Sequence, residues 1–144
     1  MNRTRIPVRP VIFGLCDGAM SILGVVFYAA GHAGEVFPVA LSGGLTAAVS
    51  MAGGQWLSDS DTGPLAAVAM GAATLAGSVL PAIPYAFTRT PAAPVLSVAL
   101  CGLVAYVVAR LRPHRQHPHL ETFGILTVIL AVSVACLLIL PGGS

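Results

Sequence analysis

Charge is what this chain has least of. Five acidic and seven basic residues among 144 make it 8% charged, where a soluble domain carries about a quarter. The shortage excludes a water-soluble globule, because too few polar side chains are present to coat one. Lysine is absent, all seven cations being arginine; with abundant alanine and glycine, this is the composition expected of a GC-rich bacterial genome. A net charge of +2, spread between apolar runs, gives no surface for nucleic acid. Cysteine is scarce too. Cys16, Cys101 and Cys136 lie inside apolar runs without CxxC spacing, and read as small buried hydrophobes rather than a disulfide framework. No nucleophile stands beside a base and no tight set of metal ligands occurs within a run, so the sequence does not describe an enzyme.

What is present is apolar length. The chain is 56% hydrophobic with a mean hydropathy of +0.89, and its apolar runs reach the roughly 20 residues needed to cross about 30 Å of hydrocarbon. Five spans are expected, over 11–31, 37–57, 64–87, 92–109 and 122–140, which makes the fold an all-α integral membrane bundle in one domain. Turn formers from Ser58 to Gly63 end the second span, and Pro64 suits the first turn of the third. Pro81 and Pro84 predict a bend near the end of that third span. The first run is not a signal peptide, because it contains Asp17 and exceeds the roughly 7–15 residues of a signal core.

Arginine placement orients the bundle. Arg3, Arg5, Arg9, Arg110, Arg112 and Arg115 fall on one side of this arrangement and only Arg89 on the other, so the N-terminus is expected in the cytoplasm and the C-terminus outside. Trp56, Tyr28 and Tyr85 fall near the expected interfaces. The compartment implied is a bacterial plasma membrane.

Asp17 is the one carboxylate within a span. It lies eight residues beyond Arg9, about 12 Å in from the cytoplasmic edge. An acid at that depth is costly unless paired, hydrated or protonated, which marks it as a functional residue; the bland alternative is a protonated aspartate bonded between helices. Around it the helix presents Gly14, Met20, Ser21 and Gly24, a seam of mostly small residues. The second span has its own seam in Gly43, Ala47, Met51 and Gln55, so the two antiparallel helices are expected to pack seam to seam. Met51 then reaches the depth of Asp17. A carboxylate, the thioethers of Met51 and Met20 and the amide of Gln55 would make a weak site for a borderline divalent ion. Taken singly, Met51 reads as core filler and Gln55 as an interhelical hydrogen-bond partner. His114, His117, His119 and Glu121 have a spacing that can gather a metal loosely, although a solvated basic loop that fixes topology is the stronger reading of an exposed segment.

Three segments carry a family resemblance. VIFGLCDGAMSILG over 11–24, LTAAVSMAGGQWLS over 45–58 and GSVLPAIPY over 77–85 resemble the first three helices of the vacuolar iron transporter family, with the Asp17–Gly18 pair, the Ser50–Met51 pair before glycines and Trp56, and the double proline in matching order. The resemblance implies a homodimer of five-helix subunits. It further implies that ferrous iron or manganese passes between the subunits and out of the cytoplasm, often against protons, with Asp17 and Met51 on the pathway and no resident cofactor. Many relatives insert a glutamate-rich metal-binding domain between helices two and three, where this chain has only residues 58–63, and Gln55 and Gly43 stand where relatives have carboxylates. The expected function is therefore a minimal divalent-metal exporter. The other class of reading is a non-transporting membrane module that keeps the fold and assembles with a partner protein.

Overall fold

The computed structural model describes residues 8–28, 33–58, 63–88, 90–111, 121, 123–125, 127–128, 131–132 and 135. Four long helices account for nearly all of them: α1 (Val8–Tyr28), α2 (Ala33–Ser58), α3 (Gly63–Phe87) and α4 (Ala92–Arg110). No strand occurs among the described residues. All four helices are long and apolar enough to cross a membrane, so the chain is a helical, multi-pass membrane protein by the measures that decide such a fold. Most of the expected fifth span, and the loop with His114, His117 and His119, lie outside the described residues. Within 121–135 the described residues are helical, and Thr127 Oγ1 donates to the Phe123 carbonyl at 2.8 Å, one turn back.

Local chemistry explains the ends of the helices. Gly63 has a φ of +68°, a conformation glycine adopts without strain, and Pro64 follows where its missing N–H costs nothing. α2 starts four residues earlier than the hydropathy pattern suggests, with Glu35 in its first turn, where a negative side chain suits the helix dipole. Pro38, the sixth residue of α2, leaves the Gly34 carbonyl without its helical N–H partner. α3 continues through Pro81 and Pro84 to Phe87. At its end the Thr88 amide donates to the Pro84 carbonyl at 2.9 Å, satisfying one of the terminal acceptors.

α3 is the centre of the bundle. Its span is 56% buried, against 28% for α1, 22% for α2 and 39% for α4. α1 and α2 each pack mainly against α3 and touch one another far less. Small residues decide this. Gly14 and Gly18, one turn apart on α1, lie directly on the α3 backbone at Met70–Ser78, and a Cβ on Gly77 would come within 2.6 Å of the Leu15 carbonyl oxygen. On the neighbouring face of α3, a Cβ on Gly71 would come within 2.7 Å of the Ala48 carbonyl oxygen and 3.0 Å of Ala52 Cβ. Glycine allows backbones to approach this closely, which is the means by which helices associate in lipid.

The order of these contacts gives the directions of the helices. Along α1, Gly14 then Gly18 meets α3 at Met70–Thr74 and then Thr74–Ser78, so the two run parallel; Gly44 meets Leu75 and Ser78 while Gly71 meets Ala48 and Ala52, so α2 runs antiparallel to α3. Cys101 of α4 lies on Ala19, and Val104 and Val108 pack with Ala19, Leu15 and Ile12, so α4 descends along α1. Arg9 and Arg110 therefore end at the same side of the bundle. Near the other end, Ile22, Leu23, Val26, Val36, Ala40, Ala82, Tyr85 and Ala93 form the main apolar cluster, and it is here that α1 and α2 meet.

Tyr85, two residues from the end of α3, is 5% exposed within that cluster. The Arg110 guanidinium lies over the Tyr106 ring at 5.8 Å, an arrangement that holds a cation beside an interfacial aromatic. Trp56, near the end of α2 on the Arg9 side, is 55% exposed. It is the only tryptophan, so its fluorescence in bilayers reports that one position. Quenching should be stronger from lipids brominated near the headgroup than from lipids brominated at the chain ends. The reverse order would place the ring at mid-membrane.

Candidate functional site

α1 and α2 lie on neighbouring faces of α3. Gly77, which faces α1, and Gly71, which faces α2, are six residues apart, or about 120° around the α3 axis at 3.6 residues per turn. α1 and α2, which touch each other little, leave a groove between them on the bundle surface. Beneath it on α3, Thr74 and Ser78 are fully or almost fully buried, so the neighbouring helices close over them. Each hydroxyl donates to the carbonyl one turn back, Thr74 Oγ1 to Met70 and Ser78 Oγ to Thr74, both at 3.0 Å.

Asp17 immediately precedes Gly18, so its side chain is turned about 80° away from the glycine row that faces α3. It is half-buried, and no hydrogen-bond or ion-pair partner for it is found among the described residues. Met51 is turned about 60° from the Gly44, Ala48 and Ala52 row by the same geometry. Because α1 runs with α3 and α2 runs against it, the two rotations bring Asp17 and Met51 to the same side, one on each wall of the groove. Their depths agree closely. Asp17 lies level with Thr74 and Met51 with Gly71, about 4.5 Å apart along the axis. Gln55 is half-buried one turn beyond Met51.

Two features differ from the sequence expectation. The small-residue row of α1 does not pack on that of α2: Gly14 and Gly18 fit against α3, while Gly43, Gly53 and Gly54 meet nothing within 4 Å. The physical reason is that α3 offers glycines on two faces, so it accepts both neighbours at close range and holds them apart from each other along the groove. Met20 is the second. It is half-buried and lines a cavity between α1 and α4 with Cys16, Ala19, Cys101, Val104, Ala105 and Val108, on the flank of α1 away from α2. By this geometry Asp17 and Met51 turn to one side of the bundle, Gln55 lies about 20° from the α2 row that faces α3, and Met20 belongs to another recess.

That recess is what the sequence reading missed. Cys16 and Met20 are spaced i, i+4, which puts two sulfurs on one helix face, but nothing in the sequence pairs that face with Cys101. No group of three histidine, cysteine, aspartate or glutamate side chains converges among the described residues. Two buried hydroxyls, Tyr85 Oη and Ser97 Oγ, have no hydrogen-bond partner there.

Comparison of the chain with family models, with curated proteins and with solved structures finds no match. The class defined by the fold is therefore that of a helical, multi-pass membrane protein, and the resemblance to vacuolar iron transporters rests on the motifs quoted above.

Proposed function

We propose that this protein carries a divalent metal ion, ferrous iron or manganese, out of the cytoplasm as a minimal relative of the vacuolar iron transporters. The observation that supports the reading is the position of Asp17. A lone carboxylate in hydrocarbon costs about 3 kcal/mol or more, yet here it stands half exposed, turned to the same side of the bundle as the Met51 thioether. Carboxylate and thioether together suit a borderline divalent ion held weakly enough to be released. The open side of the groove is where a second subunit completes the pathway, so the working unit is a homodimer. Ser58–Gly63 replaces the cytoplasmic metal-binding domain of larger relatives, and metal reaches Asp17 directly.

The proposed subunit has five spans, the last over 122–140, with the N-terminus in the cytoplasm of a bacterial cell. Arginines set that orientation, and reporter fusions test it. A phosphatase that works only outside the cytoplasm should be inactive when fused after Arg112 and active when fused after Ser144. The opposite pattern contradicts the orientation, and equal activity at both positions contradicts the fifth crossing.

Calorimetric titration of manganese into the purified dimer tests the site itself. A saturable heat that is lost in Asp17→Asn is expected. The second reading, a non-transporting module that assembles with a partner, draws on Gly43 and Gln55 standing where relatives carry carboxylates. A stable dimer giving no heat with manganese or iron would favour it.

A further inference from the structure

The recess between α1 and α4 is lined by three sulfur-bearing side chains and otherwise only by alanine and valine. Cys101 is 1% exposed, and its thiol donates to the Ala19 carbonyl across the helix interface at 3.9 Å. Cys16 and Met20 lie on either side of Ala19 on the facing helix, one turn apart. Neither Cys16 nor Cys101 is in a disulfide. The free space is about 10 Å³, close to the minimum for one water-sized body, and no side-chain oxygen or nitrogen borders it.

We infer that this recess is a binding site for a single soft monovalent cation, copper(I), held by Cys16 and Cys101 with Met20 as a weaker third ligand. The donor chemistry selects the ion. Thiolate and thioether sulfur prefer copper(I) among biological metals that a cell supplies singly, and carboxylate-loving manganese gains nothing from them. Zinc is disfavoured because a structural zinc site takes four ligands in a tetrahedron, and the recess offers three. Both thiols give their protons to solvent when the ion binds, so the site with a monovalent ion carries one net negative charge, and the all-sulfur donor set rather than charge is what selects copper(I). The bound ion replaces the Cys101 to Ala19 hydrogen bond and ties α4 to α1. The site lies on the side of α1 that packs against α4, whereas Asp17 is turned toward α2, so the inference does not rest on the transport reading.

The test is competition for copper(I) between a colorimetric chelator and the reduced full-length protein in detergent, with X-ray absorption at the copper edge. One copper(I) per chain in an all-sulfur shell is expected. Cys16→Ser and Cys101→Ser should each weaken binding by at least about a hundredfold and Met20→Leu by about tenfold, since even outer-shell changes cost metal sites 10–100-fold. Cys136→Ser should leave affinity unchanged. Cys16→Ser alters only a half-buried side chain, so its loss of copper with an unchanged thermal midpoint separates ligation from misfolding. Wild-type affinity in the Cys16→Ser, Cys101→Ser double variant, a shell containing oxygen or nitrogen, or no binding by the wild type would each overturn the inference. Manganese binding should be the same in all these variants; its loss in Asp17→Asn concerns the groove alone.

Discussion

Asp17→Asn should reduce metal flux in proteoliposomes to the level of protein-free vesicles while the variant remains folded and dimeric. Asparagine keeps the size and hydrogen-bonding reach of the side chain and removes only the ionisable oxygen pair, so packing in α1 changes little. What is lost is the carboxylate that the proposed pathway offers a divalent ion. Glu35 is at the far end of α2, and Asp59, Asp61 and Glu121 fall outside the expected spans in the sequence, so none is expected to substitute for it. Removing an uncompensated carboxylate from hydrocarbon should also leave stability equal or slightly higher. A folded Asp17→Asn protein with undiminished flux would remove this residue from the mechanism. A variant that unfolds would instead assign Asp17 a structural role.

The largest effect on the fold is expected at the α1–α3 contact. Gly18 lies against the Thr74 carbonyl and the Ser78 amide nitrogen, and Gly77 against the Leu15 carbonyl, so a methyl group at either position has backbone rather than a movable side chain in its way. Gly18→Ala and Gly77→Ala must therefore push the helices apart. Overpacking of this kind costs about 1–3 kcal/mol, and separation also loosens the Met70–Ser78 stretch of α3 against which α1 packs. Gly18→Leu should prevent a stable bundle from forming. Gly43 and Gly53 provide the contrast. They sit inside α2 with nothing within 4 Å, and alanine there should be neutral or gain up to about 1 kcal/mol from helix propensity. Thermal unfolding in detergent reads both pairs. Equal midpoints for Gly18→Ala and Gly43→Ala would contradict the packing described for α1 and α3.

The positions of the helices were legible in the sequence for simple reasons. Hydrocarbon thickness sets their length, and Ser58–Gly63 with Pro64 marks the start of α3 almost to the residue. Their packing was not. In water the buried face of a helix is apolar and the exposed face polar, but in a bilayer both faces are apolar, so α2 shows no preferred side. Glycine rows on α1 and α2 looked like partners because each can admit a backbone. The pattern does not say which backbone, and α3, with glycines at 71 and 77 on two faces, took both. The groove was legible in part: the depth of Asp17 and Met51 follows from counting along the helices, whereas the turn of Met20 toward α4 depends on where α4 lies. Cys16 and Cys101 are 85 residues apart in the sequence, and only the descent of α4 along α1 brings them to one recess.

The most direct test of the account is manganese flux through the wild-type protein reconstituted into vesicles, measured with and without an opposing proton gradient. Saturable manganese movement that ferrous iron competes for, and that empty vesicles lack, is the predicted result. Vesicles containing folded, dimeric protein that move neither metal under either condition would contradict it.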